Sequence, residues 1–98
     1  MNLPDEVLRL RSAIDLLDKQ ILSLLSDRLG LARELSFAKK EHRLAICDPG
    51  REEEVLRRAR EFFADDTCAQ PGAERIFTEI IALSRAYQAA ERENEGTQ

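Results

Sequence analysis

The chain has 98 residues, 43% of them hydrophobic and 35% charged, which is the material of one small globular domain and not of two. Its 15 Lys and Arg against 19 Asp and Glu give a net charge of −4, which argues against nucleic acid as the main partner while leaving room for a local basic pocket. Apolar runs are too short to span a membrane, and the opening residues Met-Asn-Leu-Pro-Asp-Glu hold no apolar signal core, so a cytoplasmic protein without a membrane partner is expected.

The first element is a helix from about Asp5 to His42. Val7, Leu10, Ile14, Leu17, Ile21, Leu24, Leu31, Leu35 and Ala38 repeat as a heptad stripe, and position 28 of that stripe holds Arg28. Gly30 lies inside the helix, where glycine costs about 1 kcal/mol against alanine without ending the pattern. The second helix opens at Asp48-Pro49-Gly50-Arg51-Glu52, with Asp48 as N-cap and Pro49 at the first helical position. Val55, Ala59, Phe62 and Phe63 form its apolar face, and Asp65-Asp66-Thr67 ends it. The third helix runs from near Pro71 to about Glu91 on Ala73, Ile76, Phe77, Ile80, Ile81, Leu83 and Tyr87, and residues 92–98 read as a polar, frayed tail. Strand signals are nearly absent, so the fold class is all-α with three helices.

A first helix of about 37 residues is roughly 55 Å long at 1.5 Å per residue. A compact chain of this size has a radius of gyration of about 13 Å, so the helix must project and expose its stripe. Self-association covers such a stripe, and an intertwined homodimer with antiparallel first helices is the expected arrangement. A helix folded back on by its own chain is the alternative.

Polar residues in apolar places mark the candidate site. Arg28 at a core position needs a partner: an intramolecular carboxylate, a register-fixing contact, or an anionic ligand, and the residues alone leave these open. Lys39 flanks the same stripe 11 residues on, roughly 16 Å along the axis. Arg11 flanks it 17 residues before Arg28, roughly 25 Å away, too far to meet the same small ligand within one chain. If twofold-related helices cross near residue 22, Arg11 of one chain falls opposite a point between Arg28 and Lys39 of the other. Ser84 and Gln88 continue the line of Phe77 and Ile81 on the third helix, and each alone would read as an edge residue. Asp48 alone reads as an N-cap, and Arg51 with Glu52 as a first-turn charge pair.

Together these residues resemble the all-α chorismate mutases. The likeness runs from about Leu8 to Gln88: Leu10-Arg11, Ile14-Asp15, Leu17-Asp18, Asp27-Arg28, Ala38-Lys39, Asp48-Pro49-Gly50-Arg51-Glu52, then Ser84 and Gln88. The resemblance implies rearrangement of chorismate to prephenate on the route to Phe and Tyr. It assigns Arg28 and the partner's Arg11 to the two substrate carboxylates, with Arg51 and Ser84 completing those contacts. Lys39 and Gln88 would donate to the ether oxygen, and Glu52 with the Asp48 region would hold the ring hydroxyl. It implies no cofactor and no metal; the chain has one histidine, His42, and its cysteines Cys47 and Cys68, expected as free thiols, lack metal-ligand spacing. It also raises an activating partner enzyme of the same pathway. Three other readings stand beside it. Isochorismate-pyruvate lyase shares the fold, but its segment corresponding to 48–52 usually departs from the Asp-Pro-x-Arg-Glu pattern that this chain keeps. The others are a non-catalytic helical dimer and a regulatory module that has lost its rate.

Overall fold

Asp5 and Glu6 in a first turn and Lys39 and Lys40 in a last turn suit the helix dipole at each end of α1, Asp5–Glu41. The computed structural model describes residues 2–96, with side chains through Glu93. Two further helices follow, α2 (Pro49–Phe62) and α3 (Ala69–Gly96). The 37 residues of α1 set the longest dimension of the molecule, 57 Å, and raise its radius of gyration to 18.0 Å. No helix among the described residues is long and apolar enough to cross a membrane.

The chain leaves α1 through Arg43, whose φ of 58° lets Leu44 N–H return to the Lys39 carbonyl at 2.7 Å. Asp48 then caps α2 by accepting the Arg51 N–H at 3.1 Å, with Pro49 at the first helical position. Asp66 prepares α3 by accepting the N–H groups of Cys68 and Ala69. α3 packs against both α1 and α2, and these two do not pack against each other. It therefore forms the spine of the fold.

Two expectations change in the structure. α3 runs beyond Glu91 to Gly96, and where its apolar stripe stops it is held by Glu91, which pairs with Arg33 at 2.8 Å, and by Arg92, which donates to the Leu44 carbonyl at 2.9 Å. Positions 97 and 98 of the expected tail lie outside the described residues. Phe62, placed on the apolar face of α2 by periodicity, is 82% exposed. It closes the helix edge-on against Phe63, which is half-buried.

The heptad stripe of α1 is not what its own chain buries. The face that meets α3 carries Arg28, Ala32, Ser36 and Lys39, and its buried members are Ala32 and Ser36. Leu10, Ile14, Leu17, Ile21, Leu24, Leu31 and Leu35 all remain exposed, Leu24 at 67%. Small residues at 32 and 36 let α3 approach closely, and Ser36 Oγ donates to the Gln88 carbonyl at 3.2 Å. A Cβ added at Gly30 meets no atom within 4 Å in this chain. Gly30→Ala is therefore expected to stabilise the fold by about 1 kcal/mol, read from urea unfolding. A loss of stability instead would place a second backbone against Gly30.

Candidate active site

α3 runs in the sense of α1, so Ser84 meets Arg28 and, one turn on, Gln88 meets Lys39. Between them and the first turns of α2 lies a cleft of about 250 Å³. Seven of the eight residues singled out from the sequence line it: Arg28, Lys39, Asp48, Arg51, Glu52, Ser84 and Gln88. Arg11 does not. It is exposed on the projecting half of α1, as the 17-residue separation requires.

Arg28 is half-buried, and its Nη1 donates to Ser84 Oγ at 2.5 Å. Ser84, 8% exposed, donates in turn to the Ile80 carbonyl, so its hydroxyl is held in place to accept from Arg28. Lys39 is also half-buried; its Nζ donates to the Ile46 carbonyl at 2.7 Å and to Gln88 Oε1 at 3.2 Å. Gln88 is 5% exposed. With Oε1 engaged by Lys39, its Nε2 amide is left to donate.

Among the described residues neither Arg28 nor Lys39 has a carboxylate within salt-bridge distance. Two half-buried cations thus face one cleft and are met only by neutral oxygens, so no opposite charge compensates them there. The other cations of the wall are differently placed. Arg51 is exposed and pairs loosely with Glu54 at 3.5 Å. Arg85, which the sequence reading missed, reaches from α3 to Glu52 on α2, with Nε donating to Oε2 at 2.8 Å and Nη2 to Oε1. That contact above all holds the Glu52 carboxyl below its ordinary value; burial opposes it, and the Asp48 backbone and the Cys47 thiol add to the lowering. Ser36, also missed, fixes the α3 backbone at Gln88.

A second groove of about 500 Å³ adjoins the cleft and shares Arg28, Arg51 and Val55 with it. Phe62, Phe63 and Phe77 line its far side. Among the described residues no three His, Cys, Asp or Glu side chains group as a metal site needs.

Fold and cleft together define an all-α protein with a cleft in which two cations, Arg28 and Lys39, have no carboxylate partner among the described residues. Sequence comparison makes this specific: the model of chorismate mutase type II matches residues 10–89, and the chain belongs to that family. A chorismate mutase of Methanocaldococcus jannaschii is 27% identical over 84 residues, covering 86% of this chain and 85% of that one. A 3-dehydroquinate dehydratase of Pyrobaculum aerophilum is 34% identical over 79 residues, 81% of this chain; the chain spans 23% of that protein's length. Among solved structures, a conserved hypothetical protein from Pyrococcus furiosus superposes with a TM-score of 0.72 at 41% identity. The match covers 87% of this chain and 97% of that one.

Proposed function

We propose that the chain is a chorismate mutase, rearranging chorismate to prephenate in the cleft between α1, α2 and α3. The observation that carries this is the pair of half-buried cations, Arg28 and Lys39, satisfied only by neutral partners. The substrate brings two carboxylates and an ether oxygen that gains negative charge as its C–O bond breaks. A guanidinium fork such as Arg28 suits a carboxylate, with Ser84 fixing its orientation and Arg51 at the rim. Lys39 and the Gln88 amide suit the ether oxygen: both are fixed before substrate arrives, so neither has to reorganise as charge develops. Glu52, with the Asp48 region, accepts the ring hydroxyl. The rearrangement passes through one cyclic array of bonds and asks for no proton transfer or nucleophile. The residues therefore act by holding the reactive conformer and meeting its charge.

The working unit in this reading is a homodimer. The uncovered leucine stripe of α1 and the phenylalanine-lined groove beside the cleft are two apolar surfaces of one chain that a second copy covers together. A partner α1 seated along that groove would bring Arg11 of the partner subunit to the cleft, opposite a point between Arg28 and Lys39, to take the second carboxylate.

Loss of chorismate absorbance with purified protein, followed by acid conversion of prephenate to phenylpyruvate, tests the reading. Turnover with that product is expected. Salicylate and pyruvate from isochorismate, with chorismate untouched, would replace it by the lyase. Failure to bind a bicyclic dicarboxylate transition-state mimic would leave a helical dimer without a catalytic cleft.

A further inference from the structure

Arg85 is the cleft residue that the proposed chemistry leaves without a task. It follows Ser84 on α3, is exposed, and crosses to the first turns of α2 to hold both oxygens of Glu52. A pair this exposed adds little to fold stability, since water screens it and two long side chains must be ordered to make it. Its geometry is more informative. A glutamate on a cleft wall turns about three side-chain bonds, and a two-point guanidinium clasp fixes the plane of its carboxylate.

The clasp also has an electrostatic consequence. Asp48 spends an oxygen on the cap of α2, which leaves Glu52 as the carboxylate best placed to quench the cleft's cations. With Glu52 drawn toward Arg85, Lys39 and Arg28 stay without a carboxylate partner, as found. Resting on the mutase reading above, we propose that Arg85 is a positioning residue: it clasps the Glu52 carboxylate as a fixed acceptor for the substrate's ring hydroxyl and keeps that carboxylate off the substrate-binding cations.

Four proteins test this: Arg85→Gln, Arg85→Lys, Glu52→Gln and the Arg85→Gln/Glu52→Gln double variant. Arg85→Gln is expected to lower kcat/KM about tenfold with an unchanged unfolding midpoint, and the double variant to be no worse than Glu52→Gln alone, as for two residues of one network. Arg85→Lys keeps the charge but not the fork and should fall between. Undiminished loss from Arg85→Gln in the Glu52→Gln background would overturn the proposal, because Arg85 would then act on the substrate itself.

The second readout is pH. Arg85 holds the Glu52 carboxyl below its ordinary value, so the ionised acceptor persists to lower pH in the parent chain. In Arg85→Gln the Glu52 carboxyl, followed by its carbon NMR shift, should titrate at higher pH. The acid limb of kcat/KM should move the same way. An unmoved carboxyl titration would overturn the clasp. This titration needs no turnover, so if the chain proves inactive on chorismate the mutase reading fails by itself and the clasp is still decided.

Discussion

Lys39→Ala is expected to lower kcat about 10²–10³-fold, with a much smaller change in KM. Lys39 stands near the end of α1, where the Ile46 carbonyl and Gln88 Oε1 take two of its three N–H donors and leave the third for a ligand in the cleft it lines. In the ground state the ether oxygen of chorismate is a weak acceptor. As the C–O bond breaks it becomes an enolate-like oxygen, and a fixed ammonium within reach is worth far more to it then. One preorganised donor of this kind carries about 2.7–4 kcal/mol of the barrier. Gln88→Ala is expected to act in the same direction. The two losses should not multiply, because each side chain holds the other in place. The control is thermal unfolding: Ser36 and Arg92 still tie α1 and the following loop to α3 without Lys39, so the fold should persist. Near-normal turnover in folded Lys39→Ala would remove the electrostatic assignment.

The long first helix was legible because its leucines repeat every three to four residues, and Asp48-Pro49 announces α2 through local chemistry alone. Which face of α1 the chain itself covers was not legible. That face carries Arg28, Ala32, Ser36 and Lys39, and hydrophobic periodicity is blind to a contact made by close approach of small and polar residues. The same blindness hid the end of α3, where no apolar repeat continues but Glu91 and Arg92 are held by Arg33 and Leu44.

Most of the cleft was readable as cations and amides out of place on apolar helices. Arg85 was not, since an arginine beside polar neighbours reads as a solvated charge. Its partner Glu52 lies 33 residues away, a separation that no helical period relates. The faint signal was its position next to Ser84 on the α3 side that already carried the site. Phe62 is a different case: periodicity puts it on the apolar face of α2, and within one chain that face stays 82% exposed at Phe62, lining the groove beside the cleft with Phe63 and Phe77.

Mixing Arg11→Ala chains with Lys39→Ala chains is expected to restore activity that neither has alone. In each homodimer of the first variant both clefts lack the arginine supplied from across the interface, and in each of the second both lack the central donor. A mixed dimer sorts the lesions unequally. The cleft of the Arg11→Ala chain keeps its own Lys39 and receives Arg11 from the Lys39→Ala partner, so it is whole. The other cleft carries both lesions. Random reassortment of equal amounts makes half of the dimers mixed, each with one whole site of two, and activity should return to about a quarter of the parent value. Native mass spectrometry on differently tagged chains establishes that mixed dimers have formed. Lys39→Ala with Gln88→Ala is the matching control: both lesions belong to one cleft, every mixed dimer still has a defect in each site, and no recovery is expected. Recovery in the first mixture alone follows from an Arg11 that crosses the interface. Absence of recovery, with mixed dimers present, would return Arg11 to the solvated flank of α1 and leave the second substrate carboxylate to Arg51.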